Sequence, residues 1–278
     1  MLSYDHYYYA AVAAGVKGDH LSAKDPTALM HSMMKAKSPD LGLQFLSDKG
    51  ELQSLLPEVA VLVGFGGQGK GHKDLWAHTK KVVVRSPPYL RFRWAALFHD
   101  VGKVSTISDA TGKIAFHGHE YVSTKLFDQA ARRTSIFDHT LRQEVRFLVR
   151  NLGKVEAYSR DWTDSAVRRL VLESQGKLCD LVALAKADVT TTKGEKRQFI
   201  HDLLDDLLNR AETLEKADAE KFVLPKGLGD YLMEHLDMKP SKALGDLMKS
   251  LKDAVKADRV PANAEPEVYL SFVKRNQV

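Results

Sequence analysis

Apolar residues recur every three or four positions along almost the whole chain, a period that leaves room for little except amphipathic helices. Asp25-Pro26 reads as a helix cap followed by a first-turn proline, opening TALMHSMMKA. The spacing predicts further helices over 51–56, 73–84, 93–101, 120–131, 140–149, 164–172 and 178–189. A longer charged helix is expected over 195–221, then helices over 227–236, 241–255 and 266–273, separated by glycine and proline. The one strand-like run, Val59-Ala-Val-Leu-Val63, reads equally as buried helix. The chain is therefore expected to be all-α. Residues 1–20, with Tyr4, Tyr7, Tyr8 and Tyr9, fit no pattern, and packing against the body or disorder is expected there ahead of a tyrosine stacking surface.

With 278 residues the chain has material for one large domain or two small ones, and the one plausible seam is the polar stretch 190–198. No apolar run reaches the roughly 20 residues of a membrane span, and the N-terminus has no cationic start of the secretory kind. A single cysteine, Cys179, excludes an intrachain disulfide framework and a multi-cysteine zinc site, so a cytoplasmic location is expected. The net charge of +5 is uneven: residues 70–113 carry +6 and residues 125–200 carry +5. Such a basic middle suits a polyanionic substrate, although a solvated lysine and arginine surface gives the same count.

Residues 59–71, VAVLVGFGGQGKG, contain two phosphate-loop patterns. Gly64, Gly66 and Gly69 match the dinucleotide fingerprint, and Gly64 to Lys70 match the front of a P-loop. Gly71 stands where the P-loop needs Ser or Thr, and the alternating strands of a parallel sheet are missing, so this stretch reads as a connector.

The chemistry concentrates elsewhere. LWAHTKKVV places His78 within a helix, RWAALFHDVGK places His99 and Asp100 at a helix end where Gly102 can stop it, and ALAKADVT places Asp188 near the end of another. Adjacent residues on a helix point about 100° apart, so His99 and Asp100 reach one ion only near a terminus. Two imidazoles and two carboxylates suit a hard or borderline divalent ion such as nickel, manganese, cobalt, iron, zinc or magnesium. Lys103 follows the pair by one turn, where it can meet a phosphate oxygen. FHGHE adds His117 and His119. The second His-Asp pair, His201-Asp202, lies in a charged helix and reads as coincidence. The competing reading is a set of separate, buried, hydrogen-bonded histidines.

His78, His99-Asp100 and Asp188 match the H…HD…D signature of the HD-domain metal-dependent phosphohydrolases. LLPEVAVLVGF, GHKDLWAHTKKV, LRFRWAALFHDVGK, GKIAFHGHE, WTDSAVRRLV and LVALAKADVTT resemble the C-terminal HD region of bacterial tRNA nucleotidyltransferases. KPSKALGDLMKSLKDAVKADRVPANAE resembles their C-terminal arm, so the likeness covers about residues 25–275. The resemblance implies an N-terminal segment (1–24), an HD helical bundle (25–192) and a helical arm (193–278). It implies a single divalent ion on His78, His99, Asp100 and Asp188, and hydrolysis of phosphoesters on nucleotides or RNA ends, tRNA among them. Asp100, Lys103 and His119 are then assigned to catalysis, and Lys103, His117, His119, Arg168 and Arg169 to the substrate. Helix capping is the alternative for either histidine, and plain exposure for the arginine pair.

Two departures qualify the likeness. The residues before 25 are too few for the family's nucleotide-transferring head, so CCA addition is not expected of these residues by themselves. After RFLVR, Asn151 stands where the family often has a further histidine, which favours one metal ion over two. The alternatives are a (deoxy)nucleotide phosphatase and a non-catalytic tRNA-binding module. Neither the oligomeric state nor the metal is legible in the sequence.

Overall fold

The computed structural model describes residues 4–22, 25–66, 73–108, 114–221 and 224–276. The fold is all-α. It runs through α1 (Tyr4–Ala13), a 3-10 turn (Gly18–Leu21), α2 (Pro26–Lys35), α3 (Pro39–Asp48), α4 (Glu51–Leu55), α5 (Pro57–Ala60), α6 (Leu75–Arg85), α7 (Leu90–Phe98) and α8 (Lys103–Thr106). A short antiparallel pair follows, β1 (Ile107–Ser108) with β2 (Ala115–Phe116). Then come α9 (His119–Arg133), α10 (His139–Glu156), α11 (Asp164–Glu173), α12 (Leu178–Asp188), α13 (Gly194–Lys221), α14 (Leu228–Leu236), α15 (Lys242–Lys256) and α16 (Pro266–Asn276). The run at Val59 resolves as helix and turn, because Pro57 starts α5 and the chain turns through residues 61–64. Of the glycine-rich stretch, Gly69, Lys70 and Gly71 lie outside the described residues.

Compactness divides the chain at 208/209, inside α13, into residues 1–208 and 209–278. In the first unit α7 is the central helix. Every residue from Phe92 to Phe98 is buried, as expected of a helix apolar on all sides. Helices α2, α6, α9, α10 and α12 pack around it. Trp94 and Phe98 meet Phe137 and Phe127 edge to face, with ring centroids 4.9 and 5.1 Å apart respectively. Helix α10 lays Leu141, Val145, Leu148, Val149, Leu152 and Val155 against this centre and starts on Asp138, whose carboxylate accepts from the Leu141 amide. Asp25, Asp74 and Thr163 cap α2, α6 and α11 in the same way. The second unit has its own core, in which Leu228, Leu232, Leu251 and Tyr269 are fully buried. The Tyr269 hydroxyl donates to the Pro261 carbonyl at 2.7 Å. Among the described residues no helix is long and apolar enough to cross a membrane.

The tyrosine-rich start is a packed helix. Helix α1 buries Ala10 and Ala11 against α2 and α3, and small residues carry no apolar period, which is why the sequence hides it. Close approach needs Gly42: a Cβ there would stand 2.6 Å from Met33 Cγ and 2.7 Å from the Ala10 carbonyl oxygen. Gly42→Ala is therefore expected to destabilise the protein by about 1–3 kcal/mol in urea denaturation. Gly245→Ala, on α15 with no atom within 4 Å of its would-be Cβ, is expected to be neutral or to stabilise slightly.

Candidate metal centre

Helix α6 buries Leu75, His78, Thr79, Val82 and Val83 along one stripe, so the helical period that hides valines also turns His78 inward. Its Nδ1 meets Thr190 Oγ1 at 2.9 Å, which leaves Nε2 facing the interior. His99 is the residue on which α7 ends, and its Nδ1–H donates to the Ala96 carbonyl at 2.8 Å. A carbonyl only accepts, so Nδ1 carries the proton and Nε2 also faces inward. Asp188 closes α12 from the other side. Its Oδ1 lies 3.0 Å from His78 Nε2 and 3.1 Å from His99 Nε2. These three side chains offer ligand atoms all within 4.8 Å of one another.

Asp100 lies beneath them. Its Oδ2 is 3.4 Å from both imidazole Nε2 atoms and accepts from Lys103 Nζ at 2.7 Å. Its Oδ1 is buried without a hydrogen-bond partner, 3.7 Å from His119 Nε2. His119 Nδ1–H donates to the Phe116 carbonyl at 2.9 Å, so its Nε2 is turned toward Asp100.

Gly102 holds this part together, by a route other than the helix stop expected of it. Its φ is −70°, and a Cβ there would stand 2.3 Å from the His119 carbonyl oxygen and 2.7 Å from the Ser123 amide. The turn after α7 thus presses directly on the first turn of α9. Ser123 Oγ rivets the contact, donating to the His99 carbonyl at 2.8 Å and accepting from the Gly102 amide at 2.9 Å.

The electrostatics are those of a cation site. Helices α7 and α12 both direct their C-termini here, and helix C-termini carry partial negative charge that favours a cation. Burial opposes charge on the His99 ring, yet Asp100 and Asp188 hold it well above the ordinary histidine range. Burial likewise opposes ionisation of Asp100 and Asp188, but His99 and His78 keep both well below the ordinary carboxylate range. Two nitrogens pointed at one carboxylate oxygen, with an orphaned carboxylate oxygen beneath, are satisfied by protons or by a shared cation. Two nitrogens and two carboxylates match a borderline divalent ion, so the donor set fits.

Glu156, at the end of α10, belongs to this cluster and is missing from the sequence reading. Burial of its carboxyl and then the negative charge of Asp188 push that carboxyl up to about 8. The residue's outer surface stays exposed. The signal is visible in retrospect, since Glu156 follows Leu152 by four on the apolar stripe of α10.

The remaining expected residues lie further out. His117 is exposed and makes no hydrogen bond or ion pair among the described residues. On α11, Arg168 is half-buried and Arg169 is exposed beside Glu173. Asn151 donates to the Phe147 carbonyl on its own helix at 2.9 Å. His201 turns to the Lys186 carbonyl at 3.3 Å and Asp202 accepts from Gln198, so that His-Asp pair forms no cluster with the first.

No family model matches the chain. It is 31% identical over 238 residues to the CC-adding tRNA nucleotidyltransferase of Thermus thermophilus, covering 83% of this chain and 52% of that protein. It is 26% identical over 258 residues to the A-adding tRNA nucleotidyltransferase of Deinococcus radiodurans, covering 88% of this chain and 56% of that protein. A multifunctional CCA protein of Janthinobacterium is 34% identical over 113 residues, 39% of this chain and 26% of that protein. The chain spans about half the length of the first two of these curated relatives.

Metal uptake competes with the proton that Asp100 and Asp188 favour on His99, so affinity for manganese or nickel is expected to rise with pH through the raised titration of that ring. Without metal the sign reverses. A raised imidazole pKa contributes stability that is complete below the unfolded value and is lost as pH rises through the folded one. Calorimetric titration and melting at several pH values check both, and a pH-independent affinity would exclude ligation by these imidazoles. Over most of its own length, then, the chain is similar to the bacterial tRNA nucleotidyltransferases.

Proposed function

We propose that the protein is an HD-type metal-dependent phosphohydrolase acting on phosphoesters of nucleotides or RNA ends, of the 2′,3′-cyclic phosphodiesterase or phosphatase kind. The observation that carries this reading is the meeting of His78, His99 and Asp188 from three helices above the buried, unpartnered Asp100 Oδ1. The names of the relatives, enzymes that act on tRNA, supply the RNA-end part of the reading.

His78, His99, Asp100 and Asp188 would hold one divalent cation, which supplies Lewis-acid polarisation of a phosphoryl oxygen and acidification of water. Lys103, now paired with Asp100, neutralises a non-bridging phosphate oxygen at the same edge. His119 takes a proton at Nε2, 3.7 Å from Asp100 Oδ1, and delivers it to the leaving oxygen. In the net step a water oxygen bonds to phosphorus, the phosphorus–oxygen bond to the leaving group breaks, and one water proton ends on the leaving oxygen. His117 at the rim, with Arg168 and Arg169, contacts the remainder of the substrate. The substrate is a nucleotide or RNA end, and the site of action is cytoplasmic.

A second reading, a non-catalytic RNA-binding module, draws on a groove of about 760 Å³ lined by Arg146, Phe147, Arg150, Lys154 and Lys177. Basic side chains over an aromatic floor suit a single RNA strand.

Metal analysis and hydrolysis of phosphorylated nucleotides and RNA ends with added manganese or nickel decide between the two. The hydrolase reading expects stoichiometric metal and turnover, both lost in Asp100→Ala with its circular dichroism retained. His119→Gln is expected to keep the metal and lower kcat on the order of 10²-fold or more. Tight tRNA binding with neither metal nor turnover would favour the module.

A further inference from the structure

Beside the metal centre lies a cavity that the chemistry above does not use. Its volume is about 330 Å³, and its lining combines carboxylates, lysines and apolar side chains. Asp188 and Glu156 mark the end shared with the metal cluster, with Thr190 and Thr191 on the turn after α12. Thr190 is the residue that orients His78, at 2.9 Å from its Nδ1. Apolar side chains make up much of the lining: Ile200, Leu203 and Leu204 from α13, Val155 and Tyr158 on either side of Glu156 in the chain, and Ala185 one turn before Asp188. Lys73 and Lys196 add positive charge.

The sequence builds this wall by helical period. Lys196, Ile200, Leu203 and Leu204 stand at i, i+4, i+7 and i+8, one stripe of α13. The stripe is held in place. Lys186 of α12 bonds Asp205, His201 bonds the Lys186 carbonyl, and the buried Tyr158 donates to Asp206 at 2.6 Å. The turn carrying Thr190 is fixed to the end of α6, where Arg85 donates to the Val189 carbonyl. The cavity is therefore preformed.

Such a lining, apolar side chains and two lysines beside the Asp188 cluster, fits a ligand that joins a phosphate to a flat, apolar body. We infer that it receives the nucleoside of the terminal nucleotide, with its scissile phosphate at the metal centre and any further phosphate against Lys73 and Lys196. The inference rests on the hydrolase reading for the position of that phosphate. Size sets the substrate class, because small-molecule sites run from roughly 300 to 1,000 Å³, and a cavity at the lower bound takes one nucleoside and excludes a stacked pair. The protein then reads the last nucleoside of its substrate, and its preference among phosphoesters resides in α13 rather than in the metal ligands.

The test compares two five-membered cyclic phosphodiesters, adenosine 2′,3′-cyclic monophosphate and the base-free glycerol 1,2-cyclic phosphate, with manganese added to the full chain. Wild-type protein is expected to prefer the adenosine ester at least tenfold in kcat/KM. Ile200→Trp, which fills the cavity from α13, is expected to lower that ratio at least tenfold. Leu203→Phe, on the same half-buried stripe of α13, is expected to lower the ratio in the same direction and covers the case in which the tryptophan variant misfolds. Equal use of both esters by wild type, or a ratio unmoved by both variants, overturns the inference. Calorimetric binding of adenosine 3′-monophosphate separates this outcome from failure of the hydrolase reading. If neither ester is hydrolysed but the nucleotide binds and Ile200→Trp weakens it tenfold, the cavity assignment stands and the hydrolase reading falls. If the nucleotide does not bind, the cavity assignment falls.

Discussion

The interior of the first unit is arranged around ionisable groups that an apolar core would otherwise expel. His99 and Asp100 end the most thoroughly buried helix of the protein, and Asp100 has no exposed surface. A charge so placed persists only if other charges meet it. His78 from α6 and Asp188 from α12 do so, each at the position where its own helix presents it. Helices α6, α7 and α12 therefore depend on one another, since each contributes an ionisable group to the same small volume. Displacing any one leaves a buried carboxylate or imidazole without its counterion.

This arrangement ties positioning to packing. The turn from His99 to Gly102 lies so close to α9 that no side chain larger than hydrogen fits at Gly102. That contact places His119, at the first position of α9, over Asp100. Ser123 bridges the same two segments from one turn further on. Reactive side chains and the glycine that lets them approach are thus one construction, and the site inherits the rigidity of a close-packed core.

Helix α10 separates two surfaces of different chemistry. Its Val155 and Glu156 look onto the amphipathic cavity beside Asp188, whereas Arg146, Arg150 and Lys154, spaced by four, line the broad basic groove. One surface is small and lined by both polar and apolar side chains. The other is wide and carries four basic side chains against two glutamates. Both properties come from the helical period applied to opposite faces of one element.

Much of the fold was legible because helices are written locally. Asp25-Pro26, Asp74 and Asp138 announce helix starts, and the three-to-four apolar spacing marks α6, α10 and α12. Helix α1 escaped notice because it buries alanines, and α3 because Gly42 and Pro39 resemble breaks in the pattern. The candidate ligands were legible in part, since His99-Asp100 follows an apolar helix and Asp188 ends another. Glu156 was overlooked because a lone glutamate at a helix end reads as solvated.

By itself the sequence determined the helices, their buried faces and the inward orientation of His78, since these depend on residues within one or two turns of each other. Only the tertiary structure decided that His78, His99 and Asp188 share a point, that Gly102 is a contact rather than a helix stop, and that α13 walls a cavity beside Asp188. Those facts relate residues about a hundred positions apart, such as His78 and Thr190, and depend on how whole helices pack. No local pattern encodes such a distance.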